Sequence, residues 1–287
     1  MRWQDRRQSS NVEDRRGRRT PMGGGGLPIP LGLFRGKALL VVLVIIVLLR
    51  LFGGGSLGGL MGGEEQSAPV QQNDDLARFV SVVLAETEDV WHQVFRQAGG
   101  TYREPGMVLY SGATQSGCGY ATAGTGPFYC PADEKIYLDL SFFNELQNKF
   151  KAPGDYAMAY VIAHEVGHHV QKLTGVIDKM EELRGRLSTT EYNKYNVRME
   201  LQADYLAGVF TAHIQEKGIL DVGDVDEAMN AANQIGDDRL QELTRGEVEP
   251  DLFTHGTSEQ RKRWFMKGYE SGTLREGDTF SIPYEDL

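Results

Sequence analysis

The chain has 287 residues, 40% of them hydrophobic, and a net charge of −10, enough for one sizeable domain with an extension. The charge is uneven, with +7 in the first 50 residues and −17 in the remainder. So acidic a body excludes nucleic acid as its main partner.

Residues 1–36 read as a disordered, basic, cytoplasmic segment, because the first 26 are rich in Arg, Gln, Ser and Gly with almost no large aliphatics. A run without charge follows from Ala38 to Leu49, flanked by Arg35, Lys37 and Arg50. Extended into the Gly-rich stretch, 37–60 reaches the roughly 20 residues that a transmembrane helix needs. The positive-inside rule then puts the N-terminus in the cytoplasm and the body outside, as in a single-pass inner (cytoplasmic) membrane protein with a periplasmic or other extracytoplasmic domain. A cleaved signal peptide competes, but no convincing A-x-A site follows. Residues 61–73 read as a flexible tether and 74–287 as the folded domain.

Residues 74–98 carry Leu76, Phe79, Val80, Val83, Leu84, Val90, Trp91, Val94 and Phe95 at helical spacing and stop at Gly99-Gly100. His92 on that helix reads as structural or exposed. From 101 to 140 the pattern changes to short strands, at 107–110, 128–130 and 135–140, in a small irregular sheet. Cys118 and Cys130 fall here and would pair in an oxidising compartment; two buried thiols are the alternative, and a metal role fits the spacing poorly. A helix at 141–150 leads to a longer apolar one, entered at Pro153-Gly154-Asp155 with Asp155 as N-cap and closed by Gly175. Ser188 and Glu191 then form a capping-box pattern opening a helix to about Lys217, and two more helices are predicted at 224–244 and 257–271, the latter capped by Thr257 and Gln260.

The long apolar helix contains His164-Glu165-Val166-Gly167-His168. Residues four apart share one helix face, so two imidazoles can hold one Zn²⁺ while Glu165 reaches the attacking water as general base. A chance triplet on a surface helix is the competing reading, but a buried His/Glu/His set costs free energy unless a metal compensates. Catalytic zinc takes a third protein ligand. Glu200 is the strongest candidate, and Asp204, one turn on in an Ala/Leu-lined helix, is placed to fix the tautomer of a ligand histidine. A solvated acidic face is the alternative for that pair.

This pairing looks like the gluzincin arrangement, an HExxH helix followed by a helix bearing Glu-x-x-x-Asp. More closely, the basic head, the hydrophobic span, Cys118-Gly119, the run Gly126 to Asp133, Ile136 to Asp139, His164 to His169 and Glu200 to Asp204 resemble the bacterial family called putative neutral zinc metallopeptidases. The resemblance implies a mainly helical α+β zincin-like domain preceded by one transmembrane helix. It also implies ligand roles for His164, His168 and Glu200 and a base role for Glu165. The spacer between His168 and Glu200 is longer than in compact gluzincins and leaves room for an inserted helical hairpin. An oxyanion stabiliser is still wanted. His255 is the first candidate, resembling the late Thr-His segment of membrane-associated gluzincins with Gly256 where those have Pro, and Tyr205 is the second. His169 and His213 read as structural.

The expected function is a membrane-anchored zinc endopeptidase acting on a peptide or protein laid beside an edge strand from the 101–140 region. A non-catalytic zinc-binding envelope scaffold or chaperone is the alternative. A hydrolase of another amide, such as a cell-wall peptide link, is a third.

Overall fold

The computed structural model describes residues 1–17 and 70–287. The expected span at 37–60 lies outside those residues, and among the described residues no helix is long and apolar enough to cross a membrane. The tether expected at 61–73 lies outside them up to residue 69, and a helix is already under way at Val70.

The segment expected to be disordered is, over residues 1–17, built into the domain. Its strand β1 (Val12–Asp14) pairs in parallel with β2 (Gly106–Tyr110), Val12 opposite Met107. The ring of Trp3 meets Phe79 edge to face at 5.4 Å. The basic residues that composition assigns to solvent find carboxylates on helix α1 (Val70–Gln97): Arg6 donates to Glu86 at 2.6 Å and Arg7 to Glu88 and Asp89 at 2.8 Å.

A hairpin of β3 (Ala113–Ser116) and β4 (Gly119–Thr122) follows β2, then β5 (Phe128–Cys130) and β6 (Lys135–Asp139). The main sheet runs β1-β2-β6-β5, with the first three parallel and β5 antiparallel at the edge. Cys118 and Cys130 form a disulfide, which ties the turn of the hairpin to β5.

Helix α2 (Ser141–Asn148) leads to α3 (Asp155–Leu173), α4 (Val176–Leu183) and α5 (Thr189–Glu216). Then come α6 (Asp224–Gln234), α7 (Asp237–Arg245) and α8 (Ser258–Ser271). Both capping boxes form, on Ser188 and on Thr257. The expected N-cap Asp155 is instead the first helical residue, behind Gly154 at φ 120°. The cause is Glu227, whose carboxylate fills the space a side chain at 154 would need and accepts the Tyr156 N–H at 3.0 Å. The helix predicted at 224–244 breaks at Ile235-Gly236, since a Cβ on Gly236 would come within 2.4 Å of the Ser258 nitrogen.

α5 and α8 approach through reciprocal glycines. A Cβ on Gly208 would lie 2.0 Å from the Phe265 carbonyl oxygen, and one on Gly268 1.9 Å from that of Tyr205. The apolar faces of α1, α3, α5, α6 and α8, with Met107, Leu109, Ile136 and Leu138 from the sheet, form one continuous core.

Candidate metal centre

The site is made where α3 crosses α5. The crossing is close because residue 167 is glycine: a Cβ there would stand 3.1 Å from the Ala203 carbonyl oxygen. Beside this contact, His164 and His168 on α3 face Glu200 and Asp204 on α5.

Both imidazoles are locked from behind. Asp204 is fully buried and accepts from His164 Nδ1 at 2.8 Å. It also accepts from the Tyr160 hydroxyl at 2.5 Å and, through both oxygens, from the buried Arg261 guanidinium at 2.8 and 3.0 Å. His168 Nδ1 meets Gln171 Oε1 at 2.9 Å. The Gln171 amide nitrogen donates to the Met199 carbonyl at 2.7 Å and to Gln202 Oε1 at 3.0 Å, so its oxygen is the atom left to accept. In the form that takes a metal, each Nδ1 therefore carries the proton and each Nε2 turns a lone pair forward.

Those Nε2 atoms converge on Glu200 Oε2, at 3.1 Å from His164 and 3.5 Å from His168. One ligand atom from each of the three residues lies within 4.8 Å of the others. Two imidazoles with outward-fixed tautomers and one carboxylate are the donor set a zinc ion takes, so the residues fit the metal. The field is also right for a cation. Against the effect of burial, Asp204 and Glu200 raise His164 to about 10. Against burial too, Arg261 and His164 hold Asp204 at about 2. Glu165 is buried beside the ligands, and that burial pushes its carboxyl up.

His255 comes to the same cleft from the loop before α8. Asp237 anchors that loop: it accepts the backbone N–H groups of Thr254 at 2.6 Å and His255 at 2.5 Å, and faces His255 Nδ1 at 3.1 Å. The imidazole is 48% exposed and lines the cleft with His164, Glu165, His168 and Glu200. Burial opposes its protonation, but Glu200 and Asp237 outweigh that and raise its pKa.

Tyr205, the second candidate for oxyanion stabilisation, is not brought there. Its hydroxyl donates to the Thr273 carbonyl at 2.7 Å, away from the cleft, because it faces the start of the C-terminal tail rather than α3. His169 is buried between the Tyr129 hydroxyl and the Arg103 carbonyl, at 3.0 and 2.6 Å, His213 meets the Gly272 carbonyl, and His92 pairs with Glu104. The roles of Gln171, Tyr160, Asp237 and Arg261 escaped the sequence reading. Gln171 and Tyr160 carried a local signal, lying three residues beyond His168 and four before His164 on the same helix.

The cleft measures about 1160 Å³ and is walled by β5 and by α4 and the start of α5, where Ile177, Arg184 and Tyr192 look into it. A family model described as "Putative neutral zinc metallopeptidase" matches residues 1–280. The chain belongs to that family. The uncharacterised protein YpfJ of Escherichia coli (strain K12) is 48% identical over 284 residues, 98% of this chain and 99% of that one. The uncharacterised protein Rv2575 of Mycobacterium tuberculosis (strain ATCC 25618 / H37Rv) is 38% identical over 219 residues, 72% and 73% of the two chains. No solved structure matches. For this member of the zinc metallopeptidase family, the convergence of His164, His168 and Glu200 is where the metal of the family name would sit.

Proposed function

We propose that the protein is a zinc-dependent endopeptidase. The observation that carries this reading is the convergence of two tautomer-locked histidines and Glu200 beside a further buried carboxylate, Glu165, in an open cleft. A structural zinc site has no need of that extra carboxylate. When bound, zinc supplies Lewis acidity at this point and makes water a nucleophile near neutral pH.

The chain's own groups do the rest. Glu165 takes the proton of the attacking water and passes it to the leaving nitrogen, a task suited to a carboxyl whose pKa burial has raised. His255, oriented through Nδ1 by Asp237, donates from Nε2 to the oxyanion that develops on the scissile carbonyl. β5 offers the extended surface along which a peptide lies. Its backbone at Tyr129 donates to Glu165, and its flanking residues Pro127 and Pro131 have no N–H to give. The strand therefore meets a substrate mainly with carbonyl oxygens, which read the peptide's N–H groups and not its side chains.

Glu165→Gln tests the assignment. The variant is expected to bind zinc with one ion per chain and to lose cleavage of an unstructured protein such as casein by at least a thousandfold. Cleavage within tenfold of the parent would refute the proton role. Loss of the ion together with the activity would mean that Glu165 serves the metal and not the water.

A further inference from the structure

We infer that residues 1–17 and the metal centre lie on the same side of any membrane the protein meets. The first seventeen residues are a structural part of the body, and no bilayer can pass between groups in direct contact.

The contacts are of three kinds. Backbone pairing joins β1 to β2, and the Met107 N–H donates to the Asn11 carbonyl at 2.8 Å. Apolar packing seats Trp3 on Phe79 within the core that reaches the metal helix. The decisive contacts are charged. Glu88 of α1 is 3% exposed, and its hydrogen-bond partners are Arg7, Ser9 and Asn11, all from the segment. Glu86, 2% exposed, is paired by Arg6 at 2.6 Å and by Lys217 at 3.4 Å. Removing the segment would take from Glu88 all three of its hydrogen-bond partners and from Glu86 its closest one, leaving Glu86 only Lys217. The body is thus incomplete without residues that precede the apolar run at 38–49.

A single crossing between residues 18 and 73 would carry the segment to the opposite face of the membrane and break every one of these contacts. The basic head, which by charge alone points to the cytoplasm, is held by the acidic body instead. This inference does not depend on the proposed catalysis.

Cysteine labelling on the full chain decides it. Gln8 is exposed in the segment and Val222 is fully exposed on the body, while the native cysteines are tied to each other. Gln8→Cys and Val222→Cys are expressed separately, and intact spheroplasts are treated with a membrane-impermeant maleimide before and after lysis, with the parent chain as background. The two positions are expected to behave alike, both labelled in intact spheroplasts or both only after lysis. Labelling of one in intact spheroplasts and of the other only after lysis would overturn the inference.

Discussion

Gln171 holds His168 with a neutral amide, whereas Asp204 holds His164 with a carboxylate, so the two ligand imidazoles have unequal electronic support. Losing such an outer partner typically costs ten- to hundredfold in metal affinity. Gln171→Leu should therefore weaken zinc binding by roughly that factor in chelator competition, while leaving the far-ultraviolet circular dichroism unchanged. An undiminished affinity would show that helix geometry alone orients His168. Asp204 makes a prediction about acid. Its pKa is depressed from 3.8 to about 2, so its ionised form stabilises the fold fully above its unfolded value and progressively less as pH falls from about 4 to about 2. The metal-free parent should lose on the order of 2 kcal/mol across that window, by thermal unfolding against pH, and Asp204→Asn should lack this component. At this scale the sequence was informative where a role follows from spacing on one helix, as for His164, Glu165, His168, Glu200 and Asp204. It was silent on Arg261 and Asp237, whose roles depend on where α8 and α7 come to rest.

Between elements, the metal centre depends on how near α3 and α5 lie. Gly167 sets that distance, and even a methyl group there would press on the Ala203 backbone at 3.1 Å. Gly167→Val should force the helices apart, spread the three ligand atoms and reduce zinc affinity by more than tenfold, with an added stability loss of about 1–3 kcal/mol from overpacking. Isothermal titration and urea unfolding would measure the two effects, and unchanged affinity would show that the helices can slide without disturbing the ligands. Helix limits were legible because caps are local: Ser188 with Glu191 and Thr257 with Gln260 needed no tertiary information. The break at Gly236 was not, since the obstacle is Ser258 from another helix. The β3–β4 hairpin was missed because its strands, Ala-Thr-Gln-Ser and Gly-Tyr-Ala-Thr, are only four residues long and show no alternation of large apolar residues.

For the whole molecule, the disulfide and the N-terminal segment both close the structure around β2, β5 and β6. Cys118 and Cys130 are 12 residues apart, and a loop of about that size confers about 3 kcal/mol when cross-linked. The Cys118→Ser, Cys130→Ser double variant should unfold at lower denaturant by that amount; an unchanged midpoint would mean that β5 is held without the cystine. The mainly helical α+β character was legible from periodicity. The place of residues 1–17 was not, because an arginine that will meet a carboxylate some 80 residues away looks, in sequence, like one that meets water.

That pairing also sets an order in time. β1 leaves the ribosome first, yet its partner β2 begins at Gly106 and the supporting strand β6 ends at Asp139. At a synthesis rate of roughly 5–20 residues per second, β1 waits on the order of ten seconds before there is anything to pair with. The earliest strand to be made is among the last to be placed, and until it arrives Glu88 keeps its water.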